Sequence, residues 1–83
     1  MYLSNKTNNR MEKFVIFISP SKGKSGYIKS YTSADIYTKT PDVEQAMLYA
    51  TPSDAMVHAV STGEKFSIIK VKVSINIENI AYA

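Results

Sequence analysis

A small α+β domain is what this sequence predicts: an antiparallel sheet of three to four strands, with one main helix and a short helix packed on one face. Three stretches carry that prediction. Glu12 to Ser19, EKFVIFIS, is a run of aromatic and β-branched residues, and Glu64 to Ile77 is a second, longer one. Between them, Thr40 to Gly63 holds the helical signal, with two helix-start dipeptides and a glycine at its end.

The first strand contains the uninterrupted run Phe14 to Ile18, apolar on both pleat faces, as a central strand covered on two sides requires. Pro20 to Gly26, PSKGKSG, is a turn cluster. Tyr27 to Thr32 alternates and reads as the return strand of a hairpin, and Ala34 to Thr38 reads as a third, short strand. Thr40-Pro41 begins a short helix over about 41–49. Thr51-Pro52 begins a longer one over about 52–62, with Asp54 completing a capping box. Pro52 separates the two, because it has no N–H to donate and disfavours helical geometry at Thr51. Ala55, Met56, Ala59 and Val60 are expected on the buried face of the second helix, and Gly63 is its stop. In the last strand Ile69, Val71, Val73, Ile75 and Ile77 share one face. Phe66 and Ile68 fall on the opposite phase, which predicts a bulge or bend near Ile68-Ile69. The tail ENIAYA is expected to pack Ile80 or Tyr82.

Eighty-three residues make one domain, read as a flexible arm over 1–11 and a folded unit over 12–83. A chain this short buries about 60–65% of its unfolded surface, enough for one thin core. It contains no cysteine, so neither a disulfide nor a thiolate zinc site supplements that core. The longest apolar run is five residues, far short of a membrane span, and MYLSNKTNNR lacks the apolar segment of a signal peptide. A cytoplasmic protein without membrane contact is the expectation. The net charge of +3 favours acidic partners but is modest for a dedicated nucleic-acid binder.

Gly23-Lys24-Ser25 ends like a phosphate-binding loop, but the glycine needed five positions earlier is Ile18, and a strand follows where a helix should. It reads as an ordinary hairpin loop. His58 is the only histidine and has no cysteine or carboxylate pair with which to build a metal site or a nucleophile–base pair, so it reads as a helix-surface residue. Asp42, Glu44 and Asp54 fall in first helical turns, where the helix dipole accounts for them. No catalytic, cofactor-binding or metal-binding residues are assigned, and an enzyme is not expected.

The remaining signal is a basic, aromatic surface: Lys22, Lys24, Tyr27, Lys29, Tyr31 and Tyr37 from the hairpin region, with Lys70 and Lys72 from the last strand. Six tyrosines in a chain without tryptophan favour a protein interface, since tyrosine combines area, rigidity and a polar tip. The same lysines and tyrosines are suited to stacking bases and holding phosphates.

Phe14-Val15-Ile16, then Gly26-Tyr27-Ile28-Lys29-Ser30, Glu44-Gln45-Ala46, Tyr49-Ala50-Thr51 and Ser53-Asp54-Ala55 before a closing apolar strand form an ordered series. Over about residues 13–73 that series resembles small accessory proteins of phages and prophages of Gram-positive bacteria, some of which block host enzymes or defence systems, anti-CRISPR proteins among them. The chain departs from that pattern in its longer 19–26 loop and its second Thr-Pro. The resemblance implies a non-enzymatic host inhibitor acting on a host protein, such as a nucleic-acid-processing or defence complex, by covering its working surface. Two other expectations remain open: a small nucleic-acid-binding module using the basic hairpin, and a homodimer joined through a sheet edge.

Overall fold

The computed structural model describes residues 9–75. They form a four-stranded antiparallel sheet from β1 (Asn9–Ser19), β2 (Gly26–Ser33), β3 (Ile36–Thr40) and β4 (Lys65–Ile75), in spatial order β3-β2-β1-β4. A 3-10 turn (Val43–Gln45) and the helix α1 (Pro52–Ser61) connect β3 to β4. The α+β architecture read from the sequence is the one observed.

β1 is central, and its apolar run is buried on both faces: Val15, Ile16 and Ile18 are fully inaccessible. On one face Ile16 and Ile18 join Ile28, Tyr49, Ala55 and Ala59 in the main core, with Phe14, Met47, Phe66 and Ile68 packed around it. Val15 and Ala46 are buried outside that cluster. Val15 lies opposite Ile69, on the face where Phe17 and Tyr27 make an edge-on ring contact at 5.0 Å. Farther along, Val43 and Leu48 border a groove with Val71 and Val73.

The β1–β4 register runs without a shift from Asn9↔Ile75 to Ser19↔Lys65. The bulge expected near Ile68-Ile69 is therefore absent. The apolar side chains change face without a break in the pairing: Phe66 and Ile68 pack against the main core, while Ile69, Val71 and Val73 lie on the opposite face and Lys70 and Lys72 follow Ile68 on the first. The irregularities fall instead in the β2–β3 hairpin, between Ile28 and Ser30 and again between Tyr31 and Ser33. Asn9, Arg10 and Met11, read from sequence as part of the flexible arm, belong to β1 because Ile75, Ser74 and Val73 pair with them. Residues 1–8, the last positions of the final strand and the tail with Ile80 and Tyr82 lie outside the described residues.

The helix expected over about 41–49 is reduced to the three-residue turn, with Ala46 already extended. Its backbone is taken by the sheet instead. Met47 N donates to Ile28 O (2.9 Å), Phe14 N donates to Tyr49 O (2.9 Å), and Tyr49 N donates to Phe14 O (2.8 Å). Residues 46–49 thus fill the gap where β1 and β2 part. Helix α1 starts as its sequence dictates, with Thr51 Oγ1 accepting from Asp54 N at 3.1 Å and Pro52 in the first turn. Gly63, at φ +72°, turns the chain toward β4 in a conformation that favours glycine.

Candidate functional site

Of the apolar α1 residues expected to face the core, only Ala55 and Ala59 do so. They are four residues apart, and their small side chains let the helix lie close against Ile16 and Ile18. Met56 and Val60 are each rotated one position away and point outward with Val57, at 43%, 59% and 68% exposure. Together with Pro52 and Ser53 they line a shallow apolar groove along the outer side of the helix. Helix α1 is thus sandwiched on one side and bare on the other.

The expected aromatic–basic hairpin does not form one surface. Tyr31 and Tyr37 are opposite one another in β2 and β3, their rings stacked at 6.5 Å, and both pack against the core beside α1. Tyr27, paired with Phe17, belongs to the opposite face of the sheet. Lys22 and Lys24 are exposed in the β1–β2 turn, where Lys39 Nζ donates to Lys24 O at 2.7 Å, and Lys29 is exposed at the first hairpin irregularity. Lys70 and Lys72 are opposite Phe14 and Glu12. Ser19, at the turn end of β1, lies seven residues beyond Glu12, roughly 24 Å along the strand. Lys70 Nζ makes an exposed 3.7 Å ion pair with Glu12, while Lys72 and Glu44 border the Val43–Leu48 groove. The structure therefore brings together Tyr31 with Tyr37, and Lys24 with Lys39, but spreads the eight residues over two faces and both ends of the sheet.

Around Tyr31 a cluster forms that the sequence reading did not identify. His58, read there as a surface residue, is half-buried and stacks on the Tyr31 ring at 3.8 Å with 11° between planes. Its Nδ1 shares a 2.6 Å hydrogen bond with the Tyr49 hydroxyl, which also lies 3.4 Å from Met47 Sδ. The Tyr31 hydroxyl hydrogen-bonds Ser61 Oγ at 2.5 Å, and Ser61 Oγ donates to His58 O. Burial, with the neighbouring Tyr31 hydroxyl second, raises the Tyr49 pKa above the usual tyrosine value. Burial also raises Tyr37, followed by the charges of Glu64 and Asp35. The Tyr31, Tyr49 and Ser61 hydroxyls each have a partner within the cluster, so the arrangement ties the curled hairpin to α1. Among the described residues no group of three or more histidine, aspartate or glutamate side chains is placed to hold a metal, and no helix is long and apolar enough to cross a membrane. No family model, curated protein or solved structure matches the chain.

Proposed function

We propose that this chain is a non-enzymatic accessory protein that binds a host protein stoichiometrically and blocks it by occupying its working surface, as the phage-type resemblance implies. The observation that carries the reading is the bare outer side of α1. Pro52, Met56, Val57 and Val60 form a contiguous apolar strip on a helix whose inner side is already packed. Apolar strips of this kind on small proteins mark contact surfaces, and the rigid helix loses little freedom on docking. The net positive charge steers the chain toward an acidic partner surface.

Capture from a Gram-positive host lysate tests this, followed by reconstitution with the purified captured protein. The expected result is a nuclease-resistant one-to-one complex that Val57→Asp weakens about tenfold or more while thermal unfolding is unchanged. Equal binding by the variant overturns the reading. A second reading, nucleic-acid binding, is favoured by the Lys39 ammonium being held on the Lys24 carbonyl, in the same exposed turn that carries the Lys22 and Lys24 side chains. Its sign is nuclease-sensitive capture that falls steeply with salt and with replacement of those lysines.

A further inference from the structure

β4 lies at one end of the sheet order, and its pairing with β1 determines which of its backbone groups face outward. Phe14 exchanges both of its backbone hydrogen bonds with Tyr49, so its N–H and C=O point away from β4. Its cross-strand partner is Lys70. In an antiparallel ladder such a pair is not hydrogen-bonded, and the N–H and C=O of Lys70 must point outward, to the open side of the sheet. Alternation gives the same direction to Phe66, Ile68, Lys72 and Ser74. β4 is the last strand in the sheet order, so these groups have no strand partner among the described residues. The other edge, β3, is five residues long and follows an irregular hairpin, whereas the β1–β4 register is continuous over eleven pairs.

The side chains along this edge select what can be added to it. Residues opposite one another in a sheet share a face, so a strand laid against β4 places alternate side chains beside Lys70 and Lys72. The intervening ones lie beside Ile69, Val71 and Val73. Lys65, Lys70 and Lys72 are the charged residues of β4, which has no carboxylate. Glu12 pairs loosely with Lys70 from the inner strand, leaving Lys72 without an ion pair among the described residues. A second copy of β4 is restricted in register: antiparallel pairings centred on Lys70, Val71 or Lys72 each set lysine against lysine, and those centred on Ile68 or Ile69 leave both lysines without an opposite charge within β4.

We infer that the open edge of β4 is a strand-addition site for an extended polypeptide segment of a partner protein in which acidic and β-branched apolar residues alternate. Backbone bonds to residues 66–74 supply the affinity and the two lysines supply the choice of sequence. The inference shares with the reading above only the idea that the partner is a protein. It needs no contact with α1, so failure of one leaves the other standing.

The test uses the whole protein and a synthetic capped peptide of alternating valine and glutamate, followed by amide hydrogen exchange. The peptide is expected to slow exchange at Phe66, Ile68, Lys70, Lys72 and Ser74, while the odd-numbered amides, already bonded to β1, change little. Exchanging lysine for glutamate in the peptide is expected to weaken binding about tenfold or more, since two attractive cross-strand pairs become repulsive. Lys70→Glu with Lys72→Glu in the protein reverses that preference. If the double variant does not fold, the charge-exchanged peptide makes the same comparison on the unaltered chain. Absence of protection along β4, protection on β3 instead, peptide-independent dimerisation through β4, or equal binding of both peptides overturns the inference.

Discussion

Tyr49 joins three parts of the structure through one side chain: its backbone bonds to Phe14, its ring packs in the core and its hydroxyl meets His58. Replacing it with Phe keeps the ring and removes the hydroxyl, leaving His58 Nδ1 without that bond, and is expected to cost about 1 kcal/mol at neutral pH. The pH dependence has a definite sign. Because burial raises the folded-state pKa of Tyr49, its hydroxyl keeps its proton in the folded chain at pH values where the unfolded chain has lost it. The associated stability is complete below about pH 10 and is lost as pH rises through the folded-state value. Tyr49→Phe is therefore expected to flatten the alkaline loss of stability without abolishing it, since Tyr37 titrates in the same direction. Denaturant unfolding of both proteins between pH 8 and 11 checks this. A signal for His58 was present in the sequence, because it stands at the i+3 position from Ala55 and beside Ala59, on the flank of the inward face. Its partners Tyr31 and Tyr49 were not legible, because a curled hairpin and a wedged segment bring them there.

Local punctuation determines α1, and its ends were legible for that reason. Thr51→Ala removes the acceptor for Asp54 N and is expected to lower stability by about 1 kcal/mol, read as a lower denaturation midpoint with an unchanged slope. The inward side was only half legible. Alanine, methionine and valine at neighbouring positions all satisfy an apolar pattern, and the close approach to Ile16 and Ile18 selects the alanines. The segment 41–49 was misread for a related reason: its helix-start signal is genuine over one turn, but the open backbone groups of Phe14 and Ile28 take Met47 and Tyr49 into the sheet. Strand β1 was the clearest element, since its five consecutive apolar residues are all β-branched or aromatic, which favours a strand covered on both faces.

For the molecule as a whole, the α+β class followed from the order of local signals, whereas the placement of β4 against β1 did not. That pairing joins residues from Ser19↔Lys65 to Asn9↔Ile75, far apart in the chain, so it is set by which apolar faces remain to be covered. The basic residues show the same division. Their presence was plain in the sequence, but their spacing was not: Lys65 lies opposite Ser19 at the turn end, whereas Lys70 and Lys72 lie opposite Phe14 and Glu12, farther down the strand from the turn lysines. The unbroken register has a mechanical consequence. Asn9 and Ile75 are directly opposite, so tension applied between them loads the ladder at one end and parts its hydrogen-bonded pairs in succession, as a zipper opens. Tension between Asn9 and Lys65, which lie at opposite ends of the same two strands, instead strains all of those pairs together in shear. Single-molecule pulling is expected to open the first geometry at markedly lower force than the second, and to release β4 from its Ile75 end, with Phe66 and Ile68 the last to leave the core.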